Sequence, residues 1–214
     1  MGTRHLIVAI ADGNPKIAQY GQWDGYPSGQ GATVTKFIVD ADMEAFKAKV
    51  LELQEETEEE WRKQWAEFGV DVTQPDTSVN MDVYDQFSEK YPQFSRDTGA
   101  GILDLVASGK ATRVKSDIEF AADSLFCEWA YVLDLDTGIH EVYVGFNKKP
   151  LTEGDRFYYL MDRADHGYTP VKKVWEKSFD EIKRLGYDAI MAEFGKIEKD
   201  EEEEDEEETV EENQ

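Results

Sequence analysis

Two segments of the chain have sequence patterns that predict β-hairpins. In the first, residues 4–11 (RHLIVAIA) form a short run rich in β-branched side chains, and residues 16–20 form a second run. The intervening Asp-Gly-Asn-Pro sequence at 12–15 is typical of a tight turn. This pattern predicts an N-terminal β-hairpin.

A second hairpin is predicted over residues 128–146. Apolar side chains alternate along both arms, and Asp136-Thr137-Gly138 lies between the arms. Alternation on each side of a Gly-containing turn indicates a hairpin. Residues 156–161 and 171–175 are predicted to add further strands.

Helical periodicity is clearest in residues 41–68. Large side chains recur there every three or four positions, which indicates one buried face of a single long helix. The residues of this stripe are Met43, Phe46, Val50, Leu53, Thr57, Trp61, Trp65 and Phe68. Asp40 or Asp42 is suited to cap the N-terminus of the helix, and Gly69 to end it.

Five shorter segments are also predicted to be helical. They are residues 32–39, 79–91, 98–108, 117–126 and 179–194. Ser178 is suited to cap the last of them, whereas Gly186 weakens its middle because glycine is a poor helix former. The order of elements indicates an α+β fold, in which an antiparallel sheet built from the two hairpins packs against several helices.

Charge divides the chain into a body and a tail. The formal net charge is −24, and residues 196–214 carry −10 of it because they hold twelve acidic residues and two lysines. A like-charge segment with few apolar residues is typical of a disordered tail. We therefore predict a single globular α+β domain at residues 1–195 and a disordered acidic tail at 196–214.

The body carries the remaining −14 and should repel phosphate backbones, so direct nucleic-acid binding is not expected. Its acidity has two interpretations: a solvated surface, or a surface that recognises a basic partner. The longest apolar run, at 6–11, is too short to span a membrane, and the first residues lack an apolar signal region. One cysteine and no Asn-x-Ser/Thr sequence favour a reducing cytoplasm.

The glycine loop, residues 21–31, is the most unusual stretch of the sequence, since glycine alternates there with aromatic and polar residues. Glycine serves where the backbone takes positive φ or approaches another group closely. Large aromatic side chains are typical of an ordered loop, so we predict a rigid loop, held by the first hairpin, that carries a site. The predicted site residues are Thr3, Arg4, Gln22, Trp23, Asp24, Tyr26, Ser28 and Gln30.

Asp24 is the candidate acid or base of this loop, if burial beside Trp23 activates it. The alternative is a rigid surface loop in which Asp24 caps backbone amides. Ser28 does not lie in a nucleophile elbow, because that motif needs glycine two residues to either side and Tyr26 occupies one of these positions.

Other candidate motifs favour structural roles. Asp136-Thr137-Gly138 resembles an aspartic-protease motif, but that chemistry shares a proton between two such aspartates. Cys127 lies in an apolar setting typical of a buried thiol, and His5 and His140 lie on predicted strands. No established metal-binding spacing occurs, so we predict no metal and no cofactor. The nearest candidate ligands are Asp162, Asp165 and His166.

The order of hairpin and glycine loop is loosely similar to hydrolases with an N-terminal nucleophile, including glutamine amidotransferases. Those enzymes begin with Cys, Ser or Thr, whose α-amine serves as base. Here removal of the initiator methionine would expose Gly2, and Thr3 would serve only if Gly2 were also removed.

Gly2-Thr3-Arg4 and YGQWDGYPSGQG at 20–31 are followed by WAYVLDLDTG at 129–138 and EVYVGF at 141–146. Together these stretches resemble a family of uncharacterised proteins found in bacteriophages and prophages. The resemblance covers separated parts of the chain. It implies a phage-encoded protein in the host cytoplasm and supplies no catalytic residues.

Two functions are therefore considered. The first is a phage-type cytoplasmic accessory protein that binds a basic host protein or a small ligand through the glycine loop, for example as an acidic nucleic-acid mimic that inhibits a host defence or DNA-handling protein. The alternative is a small hydrolase or transferase with its site at the loop and chain start. A pocket holding Asp24, Ser28 and the chain start would favour the enzyme, whereas a flat acidic face would favour the binding protein.

Overall fold

The computed structural model describes residues 2–74 and 78–212, with side chains as far as Glu201. The described residues form seven strands: β1 His5–Ala11, β2 Asn14–Gly21, β3 Gln54–Glu55, β4 Arg113–Val114, β5 Trp129–Asp134, β6 Ile139–Val144 and β7 Lys172–Ser178. Five of them form a sheet in the order β2-β1-β5-β6-β7, and β3 and β4 form a short parallel pair. The α+β prediction is confirmed.

Both predicted hairpins are present, because β1 pairs antiparallel with β2, and β5 with β6. Asp12 and Gly13 turn the first hairpin with φ of 56° and 67°, and Gly138 turns the second with φ of 72°. Asp and Gly adopt this left-handed conformation more readily than other residues. The strand predicted at 171–175 is also confirmed, since β7 pairs with β6.

The sheet is mixed rather than antiparallel. β1 and β5 run parallel, from His5 opposite Trp129 to Ile10 opposite Asp134. The chain passes through helices between β2 and β5, and a connection of that length can bring the next strand back in either direction. The pattern within each hairpin therefore could not predict whether β1 and β5 would pair in parallel or antiparallel.

Both faces of the sheet are buried. Ile7 and Ala9 of β1 belong to the core on one face, and Leu6 and Val8 belong to the core on the other. A strand covered on both sides has a continuous apolar sequence, as β1 does. Helices cover the first face. Residues of the 3₁₀ turns Ile118–Ala122 and Tyr158–Arg163 pack on the second.

The described residues form seven α-helices: α1 Ala32–Asp40, α2 Met43–Leu51, α3 Glu58–Ala66, α4 Met81–Lys90, α5 Gly101–Ala107, α6 Phe179–Leu185 and α7 Tyr187–Glu212. The helices predicted at 32–39, 79–91 and 98–108 are confirmed as α1, α4 and α5. Asp42 caps α2 by accepting hydrogen bonds from the backbone N–H groups of Glu44 and Ala45.

The prediction of one helix over residues 41–68 is wrong. The chain leaves α2 after Leu51 and forms β3 before α3 begins. Thr57 caps α3, because its hydroxyl oxygen accepts a hydrogen bond from the Glu60 N–H and its hydroxyl donates to the Glu60 carboxylate. Thr57 is thus the N-cap residue of α3, and Glu60 is bonded to its side chain. Thr57 therefore begins a helix instead of lying inside one.

The apolar stripe of residues 41–68 is divided between two cores. Phe46 and Val50 lie in the main core beside the sheet. Trp65 instead stacks on Phe87 of α4, with ring centroids 3.8 Å apart, and Trp61 packs edge-on against the same ring. Helices α3 and α4 are thus joined by an aromatic cluster of their own.

Three more predictions are corrected by local geometry. Residues 156–161 predict a strand but contribute to a 3₁₀ turn, and only a short 3₁₀ turn forms within residues 117–126. Ser178 caps the helix predicted at 179–194 by accepting from the Glu181 N–H. Gly186, with φ of 83°, divides that helix into α6 and α7.

Helix α7 continues through Lys196, where the predicted tail begins. Ile190 and Phe194 of α7 are fully buried, and Glu198 contacts the glycine loop. The folded body therefore extends past residue 195. Of the tail predicted to be disordered at 196–214, the side chains of residues 202–214 lie outside the described part, and residues 75–77 lie outside it as well. In the described ranges, no helix has the length and apolar character needed to cross a membrane.

Candidate functional site

The glycine loop is bonded to the strands around it. The Gly25 N–H donates to the Thr3 carbonyl at 3.0 Å, and the Gln22 N–H donates to the Arg96 carbonyl at 2.9 Å. The fully buried Tyr131 of β5 donates its phenol hydrogen to the Gly25 carbonyl at 2.7 Å. These hydrogen bonds make the loop a fixed part of the fold.

Gln30 holds the second half of the loop. Its side-chain carbonyl accepts from the Ala100 N–H at 2.8 Å, and its side-chain amide donates to the Trp23 carbonyl at 3.3 Å. Its backbone N–H donates to the Asp24 carbonyl at 2.9 Å. Gln30 is therefore a positioning residue of the π-helical turn Pro27–Gly31 that leads into α1.

Close packing, rather than a left-handed backbone, explains two glycines of the loop. A Cβ built on Gly21 would lie 2.1 Å from the His5 ring, and one on Gly29 would lie 2.2 Å from the Asp24 carbonyl oxygen. The left-handed residue of the loop is instead Asp24, with φ of 56°. Aspartate tolerates this conformation better than most residues.

The glycine loop forms one wall of a cleft of about 470 Å³, a volume typical of small-molecule sites. We call it the loop cleft. The chain start, the first residues of β5 and β7, the end of β6 and helix α7 form the other walls. Its lining residues are Thr3, Tyr26, Ser28, Glu128, Trp129, Val144, Gly145, Phe146, Asn147, Lys148, Lys149, Lys172, Glu198 and Glu201.

The charged groups of the loop cleft differ in their pairing. The Glu128 carboxylate accepts from the Arg4 N–H at 3.1 Å and lies 3.6 Å from Arg4 Nε. The Glu198 carboxylate accepts from the Ser28 N–H at 2.5 Å. In contrast, the ammonium groups of Lys149 and Lys172 have no carboxylate partner among the described residues.

Phe146 lines the loop cleft with a strained backbone. Its φ of 49° is left-handed, which costs about 1–2 kcal/mol for a residue with a Cβ. Its N–H donates to the Ser124 carbonyl at 2.7 Å, which fixes this conformation, while 40% of the residue stays exposed. Its ring packs edge-on against the Tyr168 ring, with centroids 6.4 Å apart, and the exposed part of the ring faces the loop cleft.

No family model, curated protein or solved structure matches this chain. The resemblance to phage and prophage proteins therefore stays a prediction.

Thr3, Tyr26 and Ser28 are the predicted site residues that line the loop cleft. The remaining ones do not line it. Arg4 bonds to Glu128 and lies over the Phe126 ring at 4.6 Å. Gln22 and Gln30 hold the loop, as does Trp23, whose indole N–H donates to Asp97 at 2.7 Å.

Asp24, the predicted acid or base, is exposed and does not line the loop cleft. Its catalytic role depends on burial beside Trp23, and Trp23 is itself 47% exposed. The loop is shaped by its backbone bonds, so these two side chains face solvent. The burial on which the prediction rests is absent.

Four residues of the loop cleft escaped the sequence reasoning: Phe146, Lys149, Lys172 and Glu198. The sequence FNKKP at 146–150 places an aromatic residue and a lysine pair before a proline, which indicates a surface loop but not its function. The left-handed φ of Phe146 has no sequence signal. Glu198 lies in the segment predicted to be a tail.

The thiol of Cys127 is buried and the two histidines lie on strands, as predicted. Cys127 is fully buried, and burial raises the pKa of its thiol. Burial lowers the pKa of His140 to about 4, although its Nδ1 lies 3.0 Å from the Val132 carbonyl. Burial also lowers the pKa of His5 to about 4.

The Asp-Thr-Gly sequence is a turn, as predicted. The Asp136 carboxylate accepts from the Gly13 N–H at 2.8 Å and pairs with Lys47 at 2.8 Å, joining the turns of both hairpins. The Lys47 hydrogen bond is the largest cause that lowers the pKa of Asp136 to about 2. Within the described ranges, no group of three or more metal-ligating side chains occurs.

A second charged cluster, the Arg156 network, lies on the sheet face away from the helices. Arg156 Nε is 2.5 Å from Glu141 Oε2, and Arg156 Nη2 is 2.8 Å from Asp134 Oδ2. Tyr143 donates to Glu141 at 3.0 Å, and Lys173 Nζ lies 3.5 Å from the same carboxylate. Burial raises the pKa of Asp134, but the Thr137 N–H and Arg156 together lower it below its ordinary value.

Proposed function

We propose that this protein is a binding protein and that the loop cleft holds a small ligand with a flat apolar part. The observation that carries this proposal is Phe146, an exposed ring held on a left-handed backbone among the lining residues. Tyr26, also largely exposed, adds a second ring from the glycine loop. Aromatic side chains are common in the lining of small-molecule sites.

Catalysis is supported less well. Thr3, Tyr26 and Ser28 bring hydroxyl groups to the cleft, but the described lining residues include no imidazole or thiol to activate or replace them. Glu128 is engaged by Arg4, and Glu198 by Ser28. A hydrolase or transferase at this site would therefore lack a positioned base.

In the phage-type setting that the sequence resemblance implies, the ligand would be a small host molecule or an exposed group of a host protein. The net charge of −24 supports a second candidate function, an acidic inhibitor of a basic host protein that handles DNA. That function would use the outer surface instead of the loop cleft. It would be unaffected by substitutions at Phe146.

A screen of small aromatic fragments by amide chemical shifts tests the proposal. Binding fragments are expected to shift the backbone amides of Ser28, Gly145 and Lys149. The Phe146→Gly variant should lose these shifts. Its stability should change little, because glycine relieves the left-handed strain while the variant loses the packing of the ring against Tyr168.

Tyr159→Ala is the matched control, because Tyr159 is an exposed aromatic residue that does not line the cleft. It should leave fragment binding unchanged. The proposal fails if no fragment shifts the cleft amides, or if Phe146→Gly binds fragments as well as the natural chain does.

A further inference from the structure

The loop cleft brings three lysines together with three glutamates although the chain as a whole is strongly acidic. The sequence holds 47 acidic residues against 23 lysines and arginines, so a cation has abundant partners available. Lys149 and Lys172 nevertheless line the cleft without a carboxylate partner in the part of the chain that is described. Lys172 is half-buried at the start of β7 and paired through its backbone to Val144, so its position is fixed.

The negative groups of the same cleft are already engaged. Glu128 bonds to Arg4, and Glu198 accepts the Ser28 N–H. Glu201 also interacts with another group. The Lys148 ammonium lies 5.9 Å from the centroid of the Tyr168 ring and interacts with another group, so it differs from Lys149 and Lys172. Because a backbone N–H does not neutralise a carboxylate, Glu198 keeps its negative charge, and Lys149 and Lys172 are the groups of the cleft that can attract an anion.

We propose that the ligand of the loop cleft is an anionic aromatic molecule. Its acidic group contacts the ammonium groups of Lys149 and Lys172, and its ring packs against Phe146 and Tyr26. This inference rests on the proposed function, since it specifies the ligand class of the same cleft. Lysine ammonium groups bind carboxylate, sulfonate or phosphate as compact point charges.

Glu198 opposes such a ligand. Its carboxylate sits at the Ser28 N–H and brings negative charge from α7 into the cleft. Like charges within several ångströms repel each other. Glu198→Gln would remove the charge and keep an oxygen able to accept the Ser28 N–H. This variant is expected to bind anions more tightly, roughly threefold or more.

Three probes with the same ring test the charge preference: naphthalene-2-sulfonate, 2-naphthamide and 2-naphthylmethylamine. Amide shifts of the full chain give each dissociation constant. The sulfonate is expected to bind roughly tenfold more tightly than the amide, and the amine most weakly. In the Lys149→Gln/Lys172→Gln variant, the sulfonate should bind no better than the amide.

Two controls match these charge changes. Lys110→Gln removes an exposed lysine that does not line the cleft and should leave the preference for sulfonate intact. Asp200→Asn neutralises an exposed acid on α7, two residues from Glu198, and should not reproduce the tighter binding of Glu198→Gln.

Equal binding of the sulfonate and the amide, or tighter binding of the amine, would overturn the anionic ligand while leaving a ligand cleft in place. Sulfonate binding that survives the double lysine substitution would also overturn it. If none of the probes shifts the cleft amides, the proposed function itself fails.

Discussion

The loop cleft and the Arg156 network both place charged side chains against the same sheet, but they differ in pairing. In the network, one arginine satisfies two nearly buried carboxylates, and Tyr143 adds a hydrogen bond. In the cleft, Lys149 and Lys172 lack carboxylate partners among the residues described. A buried charge needs a partner to be tolerated, whereas a lysine open to solvent does not.

This difference separates a structural cluster from a candidate site. The Arg156 network resembles an active site in composition, with Glu, Asp, Arg, Tyr and Lys together. Each carboxylate there is already satisfied by neighbours of the fold. In the loop cleft, Lys149, Lys172 and Phe146 line a space that a ligand can enter, and the backbone of Phe146 is strained. Lysines that pair with no described carboxylate, rather than a large number of charged residues, point to function.

Removing the arginine should have the largest effect on stability. Arg156→Ala would leave Asp134 and Glu141 close together, nearly buried and without their shared cation. We expect a loss of about 3–5 kcal/mol in the free energy of unfolding, measured by urea denaturation at pH 7.

Arg163→Ala is the control for that substitution, because Arg163 pairs with Glu119 at an exposed position. Its effect should stay below about 1 kcal/mol. Similar losses for the two variants would mean that the Arg156 network is no more important than a surface ion pair.

The pH dependence of stability distinguishes the Arg156 network from the buried, neutral histidines His5 and His140. The pKa of His140 is about 4 in the folded state against 6.5 ordinarily, so the unfolded state binds more protons between these values. Stability is therefore complete above pH 6.5 and is lost as the pH falls towards 4. The expected loss is about 2 kcal/mol per buried histidine between pH 7 and 5.

His140→Gln should reduce the loss of the natural chain by about half, since His5 has a similarly lowered pKa. Arg156→Ala should keep the loss between pH 7 and 5. The pKa of Asp134 is lowered in the folded state, so the network is weakened only as the pH falls through and below the ordinary value of 3.8. A His140→Gln variant with an unchanged pH profile would contradict this assignment.

The smallest effect is expected in the loop cleft. Lys149→Gln/Lys172→Gln removes two charges that make no ion pair with the described residues, so the free energy of unfolding should change by less than about 0.5 kcal/mol. Urea denaturation beside Arg156→Ala gives the comparison. A loss of several kcal/mol would show that these lysines hold the fold together instead of serving a ligand.

Local sequence patterns predicted most of the helices and strands but few of the contacts between them. The two hairpins and the Asp42 cap follow from alternation and turn chemistry, which depend on neighbouring residues. The parallel contact between β1 and β5 depends on a long connection, which no local pattern specifies. The break before Thr57 was hidden because Leu53, Thr57 and Trp61 keep a helical spacing of four residues across it.

The candidate site was predicted only in part, again because local patterns do not specify contacts between distant segments. The glycine loop is recognisable from composition, and it brings Tyr26 and Ser28 to the cleft. The other walls come from strand ends and from α7, which are distant in the sequence. The exposure of Asp24 and the left-handed backbone of Phe146 arise from tertiary bonds, so residue type alone does not predict them.

The parallel pairing of β1 with β5 has a consequence for synthesis of the chain. His5 leaves the ribosome 124 residues before its partner Trp129. At ordinary elongation rates of about 5–20 residues per second, β1 waits roughly 6–25 s with only β2 beside it. The edge of β1 that later pairs with β5 is open during this time, so the nascent hairpin is exposed to unwanted strand pairing until β5 emerges.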